Sequence, residues 1–252
     1  MGRRLLIMAQ PPAFVHTLPH YSLKLERSAY DATQNNPKEN EAPYYEVWDL
    51  WLNDLILNQA DYSLRPQGVL SVCVTPQQQK KMQKSSIAKR TPDFIIYHNR
   101  DTEIDGNYSR HRDVAFIAEV KPWEKGMTED CCMLVREFND HEFLDQVCDH
   151  AKMIMIQHNK ARVWLVQCVG LFWRAGSLRN EGISPFSNRA PTGKNVPREH
   201  AEHIEWGPIE KVGDMASDIQ QAGFWSKVSY DVELWYGSRF SSSMFNLFNP
   251  NR

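Results

Sequence analysis

Hydrophobic residues recur along the chain in two different periods, and their alternation predicts a mixed α/β protein. Between residues 41 and 59, apolar side chains follow helical spacing, and Pro43 suits the first turn of a helix. The main stripe of this helix consists of Tyr45, Trp48, Leu52 and Leu55. Short runs rich in Val, Ile and Phe then predict strands over residues 69–74, 93–98 and 113–121.

A long helix and a strongly apolar strand are predicted next. We expect the helix to begin at Asn139, because Glu142 three residues later completes a capping box. Helical periodicity places the polar residues Gln146 and His150 together along one edge of its apolar stripe. Residues 163–173 are the most apolar run in the chain, which is typical of a strand buried on both faces. Because a helix precedes this strand, we expect it to pair in parallel with an earlier strand.

These elements give one core domain over residues 41–175, in the order helix, three strands, helix, strand. Gly106-Asn107 lies between the second and third strands and predicts a hairpin, so those two strands should be antiparallel neighbours. The predicted fold is α/β, with a mixed central sheet flanked by helices.

Patterns outside this core are weaker. Residues 1–40 are irregular and predict an N-terminal arm, and residues 61–68 predict a turn. Residues 176–252 begin as a polar loop and are expected to form a C-terminal extension packed on the core. Within that extension, a short helix is predicted inside 208–223 and a strand over 228–236.

Composition narrows the class of protein. The chain has 252 residues, 42% of them apolar, which is enough for a sizeable core. Five cysteines without a CxxC pair indicate a reducing compartment. No apolar run approaches the length of a membrane span. We therefore expect an intracellular protein, cytoplasmic or nuclear, without a membrane partner.

One basic segment is the main candidate for binding a polyanion. The formal net charge is −2, so any affinity for nucleic acid must come from a local patch. Residues 76–90 contain no acid, and their cations are Lys80, Lys81, Lys84, Lys89 and Arg90. Two interpretations stay open: a solvated loop or short helix, or a surface that contacts phosphates.

Charged residues cluster where two of the predicted strands begin and end. Pro92-Asp93 opens one apolar run, and Glu119-Val120-Lys121 closes the next. Glu119 and Lys121 are two residues apart, so on a strand they point to the same face. Carboxylates are the ligands that hard divalent cations prefer, and the Val120 carbonyl offers a further oxygen. The site residues predicted here suit phosphodiester hydrolysis assisted by a cation.

These residues resemble the signature of the PD-(D/E)XK nuclease superfamily, whose core also runs helix, three strands, helix, strand. The resemblance implies a restriction-endonuclease-like α-β-β-β-α-β fold and cleavage of nucleic acid that depends on Mg²⁺ or Mn²⁺. It also implies that Asp93 and Glu119 are metal ligands and that Lys121 is the catalytic lysine.

Two further features of the superfamily have candidates in this chain. Many members carry a glutamate on the first helix as an extra metal ligand, and Glu46 is the match, with Asp49 as a substitute. Exonuclease-like members carry a Gln-xxx-Tyr motif on the helix after the lysine. Here Gln146 matches the glutamine, and His150 stands where tyrosine is usual.

The leading hypothesis is thus a Mg²⁺- or Mn²⁺-dependent nuclease, with DNA favoured over RNA as substrate. The alternative is a catalytically inactive module on the same fold that binds nucleic acid or assembles with proteins. A third reading is an unrelated α/β domain, which a separation of Asp93 and Glu119 above about 8 Å would favour. The oligomeric state stays open, a homodimer included.

Overall fold

The computed structural model describes residues 19–36, 40–56, 61–73, 87–104, 107–123, 129–158, 160–179, 204–214 and 217–232. Within these residues the helices are α1 (Pro19–Gln34), α2 (Ala42–Ile56), α3 (Cys131–Phe138), α4 (His141–His158) and α5 (residues 217–232). The strands are β1 (Tyr62–Pro66), β2 (Leu70–Cys73), β3 (Ile87–Arg90), β4 (Phe94–Ile104), β5 (Asn107–Lys121), β6 (Arg162–Val169), β7 (Phe172–Arg179), β8 (Ile204–Trp206) and β9 (Glu210–Lys211).

The central sheet is mixed, as the sequence predicts. Its strands lie in the order β1-β4-β5-β6-β7-β8, and β9 also pairs with β7. β4 and β5 form the predicted antiparallel hairpin, and β5 and β6 pair in parallel across the α4 crossover. β2 and β3 form a separate two-stranded sheet. The mixed α/β architecture with helices flanking the sheet is therefore confirmed.

Both faces of the sheet are covered by helices. One face packs against α1, α2 and α5, with Trp48, Phe116 and Trp225 in its core. The other face packs against α3 and α4, where Ile117 and Val147 are buried. Phe116 and Ile117 are neighbours in β5 and enter opposite cores, because successive strand side chains alternate between faces. This two-sided burial explains why the central strands are apolar without interruption.

The predicted strand over residues 163–173 is wrong in its extent. The run contains β6, a turn at Gly170-Leu171 and the start of β7, which returns antiparallel to β6. Gly170 has φ +58°, a left-handed conformation that glycine adopts without steric cost. Because both strands are buried, no polar residues mark the turn. The sheet continues through β7 across the domain boundary predicted at residue 175.

Other predicted elements also need correction. Residues 61–68, expected as a turn, contain β1, which pairs with β4 in the central sheet. The first core strand, predicted over residues 69–74, is instead β2 of the separate two-stranded sheet. The N-terminal arm contains α1, whose Leu25 is buried in the same core as α2. The strand predicted over 228–236 is wrong where the structure describes it, since residues 217–232 are helical. The spacing of Val228 and Val232 fits the alternating pattern of a strand. Because these residues are four apart, they also lie on one face of a helix, and both are buried there.

The start of α4 differs from the prediction by one residue. Asn139 ends α3, and the Phe143 N–H donates to Asp140 Oδ2 at 3.1 Å. Asp140 is therefore the N-cap of α4, and the capping box predicted for Asn139 and Glu142 is not formed.

No helix among the described residues is both long and apolar enough to cross a membrane.

Candidate active site

The site lies where β4 begins and β5 ends. Phe94 pairs with Ala118 in the sheet, and the Asp93 carboxylate accepts the next available N–H, that of Val120, at 2.7 Å. The side chain of Asp93 thus replaces a backbone partner at the end of the ladder. Because the N–H and C=O of a strand residue point to the same side, the Val120 carbonyl is directed towards the Asp93 side of β5.

Glu119 is fully buried and faces α4. The Gln146 Nε2 donates to Glu119 Oε2 at 3.0 Å, and His150 Nδ1 hydrogen-bonds Glu119 Oε1. Burial, and after it the charge of Arg90, lowers the pKa of His150 to about 3. His150 is therefore neutral at physiological pH, and its contact with Glu119 is a hydrogen bond rather than an ion pair.

The two predicted acids, Asp93 and Glu119, lie side by side, and their carboxyl groups share a hydrogen bond. Burial raises the pKa of Glu119 well above its ordinary value, and the charge of Asp93 and a hydrogen bond between the two carboxyls raise it further. Burial also raises the pKa of Asp93, and hydrogen bonds from Tyr45, Val120 and Glu119 offset part of this rise. Burial and the neighbouring charge thus disfavour the ionisation of both carboxyls at once.

A third acid and a tyrosine come from α2. The Tyr45 hydroxyl donates to Asp93 Oδ1 at 2.5 Å and lies 3.4 Å from Glu41 Oε2. Burial and then the negative charge of Asp93 raise the pKa of Glu41, while the Lys121 charge opposes the rise. Glu41 is therefore the acid at the α2 end of the site.

Neither acid predicted for this helix position lies there. Glu46 is solvent-exposed. Asp49 is half-buried, and Lys24 of α1 is the charge that acts on it. The sequence contained a signal for the position of Glu41: it lies one turn before Tyr45, at the start of the apolar stripe of α2. Glu46 lies on the opposite side of that stripe, which turns it away from the sheet.

Lys121 shares a face with Glu119, as predicted. Its ammonium donates to Asp140 Oδ2 at 2.8 Å and lies 4.8 Å from the centre of the Phe143 ring. Both contacts come from the first turn of α4. The lysine therefore reaches across the end of the sheet to the N-terminus of this helix.

The basic segment is only partly described. Lys80, Lys81 and Lys84 lie outside the described residues. Lys89 is exposed on β3, whereas Arg90 forms an ion pair with the buried Asp149 of α4 at 3.3 Å. Residues 87–90 form a strand instead of the loop or helix expected there. Of the described cations in the segment, Lys89 is the one that faces solvent most fully.

The donor set fits a hard divalent cation. Asp93, Glu119 and the Val120 carbonyl supply oxygen ligands, and Mg²⁺ or Mn²⁺ would complete its shell with water. Such a cation would supply the positive charge that allows both carboxyls to ionise. No cluster of three or more His, Cys, Asp or Glu side chains suited to a metal occurs among the described residues. The candidate site contains the carboxylates of Asp93 and Glu119. Glu41 is a third acid beside it, and its Oε2 lies 3.4 Å from the Tyr45 hydroxyl that donates to Asp93.

No protein-family model matches this chain, and no curated protein shows significant similarity to it.

Proposed function

We propose that the protein is a metal-dependent nuclease of the PD-(D/E)XK type, which hydrolyses phosphodiester bonds of nucleic acid, with DNA favoured over RNA. The observation that carries the proposal is the contact between the half-buried Asp93 carboxyl and the fully buried Glu119 carboxyl at the end of two adjacent strands, with Lys121 on the same face as Glu119. Two carboxyl groups rarely pair for structural reasons alone, whereas sites for divalent cations commonly contain paired carboxylates.

The arrangement of elements supports the same proposal. α2 and α4 lie on opposite faces of the sheet, and β1, β4, β5 and β6 follow one another across it. With β1 as the first core strand, the chain runs helix, three strands, helix, strand, and β2–β3 is an insertion. With α1 and α3 as further additions, this order supports the restriction-endonuclease-like fold that the resemblance implies.

Each residue of the site has a role in the proposed reaction. Asp93, Glu119 and the Val120 carbonyl would hold Mg²⁺ or Mn²⁺. A bound cation of this kind makes water a stronger nucleophile and stabilises charge on the phosphate. Gln146 and His150 orient Glu119, and Tyr45 orients Asp93, as hydrogen-bond donors or neutral partners orient metal ligands elsewhere.

The remaining groups act on the substrate side. The Lys121 ammonium is placed to stabilise negative charge that develops on the phosphate. Glu41, one hydrogen bond from Tyr45, is positioned to orient water beside the carboxyl pair. Lys89 on β3 is an exposed cation available to the nucleic-acid backbone.

The proposal is tested by cleavage of single- and double-stranded DNA and of RNA in Mg²⁺ and in Mn²⁺. Asp93→Ala and Lys121→Ala should each reduce the cleavage rate by roughly 10²- to 10⁴-fold. Glu46→Ala is the control, because Glu46 is exposed and lies away from the pair, and it should keep the wild-type rate. Circular dichroism checks that all three variants remain folded.

Equal cleavage by the wild type and both site variants would overturn the nuclease proposal. Wild-type protein that binds Mn²⁺ through Asp93 but cleaves neither DNA nor RNA would instead favour an inactive binding or assembly module.

A further inference from the structure

One carboxylate oxygen of Asp140 accepts hydrogen bonds from two different groups. Its Oδ2 accepts the N–H of Phe143 at 3.1 Å, which caps α4, and the ammonium of Lys121 at 2.8 Å. Burial alone would raise the pKa of Asp140, but the hydrogen bond from Lys121 leads a set of contacts that lower it. The cap is therefore also the ion-pair partner of the lysine.

The corner that carries Asp140 is anchored to the sheet. Arg174 of β7 is buried, and its Nη2 donates to the Phe138 carbonyl at 2.6 Å and to Asn139 Oδ1 at 3.1 Å. Its Nε donates to Gln167 Oε1 of β6 at 2.8 Å. These bonds hold the α3–α4 corner, so the position of Asp140 relative to β5 is set by the sheet.

The ammonium has competing partners within the same site. Lysine is a flexible point charge on a four-carbon stem, and Glu41, Asp93 and Glu119 are all acidic. The Lys121 charge acts on Glu41, yet the lysine is bonded to Asp140. The described residues show no ion pair between Lys121 and either Asp93 or Glu119. An ammonium bonded to the Asp93–Glu119 pair would occupy the oxygens that a divalent cation needs.

We propose that Asp140 is a positioning residue that keeps the Lys121 ammonium away from the Asp93–Glu119 pair. It leaves the carboxylate oxygens available to a divalent cation and places the ammonium to one side, where a phosphate would lie. This inference depends on the proposed function for the role of the metal, but the position of the lysine can be measured independently.

Asp140→Asn separates the two roles of the side chain. Asparagine caps helices as well as aspartate does, so the bond to the Phe143 N–H is kept while the charge partner of Lys121 is lost. The released ammonium should move to the acidic pair and weaken Mn²⁺ binding by roughly tenfold, as measured by isothermal titration calorimetry. Adding Lys121→Met to Asp140→Asn should restore the wild-type affinity.

The matched control is Asp130→Asn. Asp130 caps α3 by accepting the Cys132 N–H at 3.0 Å, and it forms no ion pair with a described residue. This variant changes the charge of a helix cap in the same way and should leave Mn²⁺ affinity unchanged. Asp140→Ser, a second neutral cap, should reproduce the effect of Asp140→Asn if that variant folds poorly.

A second measurement needs neither metal nor cleavage. Because the ammonium lies over the Phe143 ring, the ε-methylene protons of Lys121 should show an upfield ring-current shift in NMR spectra. The shift should be present in the wild type and in Asp130→Asn and lost in Asp140→Asn.

The outcomes are distinguishable. Unchanged Mn²⁺ affinity and an unchanged Lys121 signal in Asp140→Asn would overturn the positioning role, as would a loss of affinity that Lys121→Met does not restore. Wild-type protein that binds Mn²⁺ without cleaving nucleic acid would overturn the nuclease function alone. Wild-type protein that binds no Mn²⁺ would overturn both.

Discussion

Glu119 is a fully buried acid whose two contacts from α4, Gln146 and His150, carry no positive charge. Burying an ionised carboxylate without a cation is expensive, so burial favours the protonated form of Glu119 and raises its pKa. Because its pKa in the folded state lies above the ordinary value of 4.5, the stability that the protonated form contributes is complete below about pH 4.5. That stability is lost as pH rises through the folded-state pKa.

Glu119→Gln should therefore stabilise the metal-free protein at alkaline pH. Glutamine has the shape of a protonated glutamate and does not ionise, so its advantage over the wild type should grow with pH. Urea unfolding at pH 5 and pH 8 in the presence of a chelator measures this difference. Glu46→Gln, at an exposed position, should follow the wild type. The interpretation fails if Glu119→Gln and the wild type lose stability equally with pH.

The site also shows which residues can be predicted without a structure. The grouping of Asp93, Glu119 and Lys121 at one end of the sheet could be predicted, because strand ends are visible in sequence and hairpin partners are neighbours. The positions of Glu41 and Asp140 beside these residues were not predicted. Each lies at the start of a helix, and whether a helix start faces the site depends on how the helix packs.

At the scale of elements, the turn between β6 and β7 is the feature that the hydrophobic pattern concealed. Gly170 accepts the Trp48 Nε1–H through its carbonyl at 2.9 Å and donates its own N–H to the Lys121 carbonyl at 2.9 Å. A Cβ at Gly170 would lie 2.9 Å from Cε3 of Trp123. The turn thus holds the residues that follow β5, and it does so with a conformation that only glycine adopts easily.

Gly170→Ala should destabilise the protein by about 1–3 kcal/mol, because it combines a left-handed backbone with a contact too short for a methyl group. Gly223→Ala is the matched control in α5, where a methyl group meets nothing within 4 Å. It should stabilise the protein by about 0.5–1 kcal/mol through helix propensity. Guanidinium unfolding of both variants measures the two shifts, and shifts of the same sign would contradict this account.

At the scale of the molecule, the C-terminal extension completes a core that the central domain leaves open. The Trp225 ring of α5 lies 4.6 Å from that of Tyr62 and 6.3 Å from that of Phe116, measured between ring centres. Asp231 of the same helix accepts hydrogen bonds from Arg162 and Trp164 of β6. α5 therefore joins β1, β5 and β6, and it should unfold together with them.

Trp225→Ala should lower the free energy of unfolding by about 3–5 kcal/mol, the range found for buried aromatic residues. The unfolding transition should stay single when followed by circular dichroism and by fluorescence, because one core is shared. Tyr230→Ala, on the exposed side of α5, should change stability little. A separate early transition in Trp225→Ala would show that the extension is an independent unit.

The sequence by itself determined the mixed α/β class, the β4–β5 hairpin, the parallel strand that follows α4, and the grouping of Asp93, Glu119 and Lys121 at one end of the sheet. These are local properties: period, strand-end charge and the adjacency of strands joined by a hairpin. Only the tertiary structure decided that Glu41 and not Glu46 reaches the site, that a turn divides residues 163–173, that residues 228–232 are helical, and that the α4 cap holds Lys121. Those outcomes depend on how elements far apart in the chain pack against one another, and a one-dimensional pattern does not contain that information.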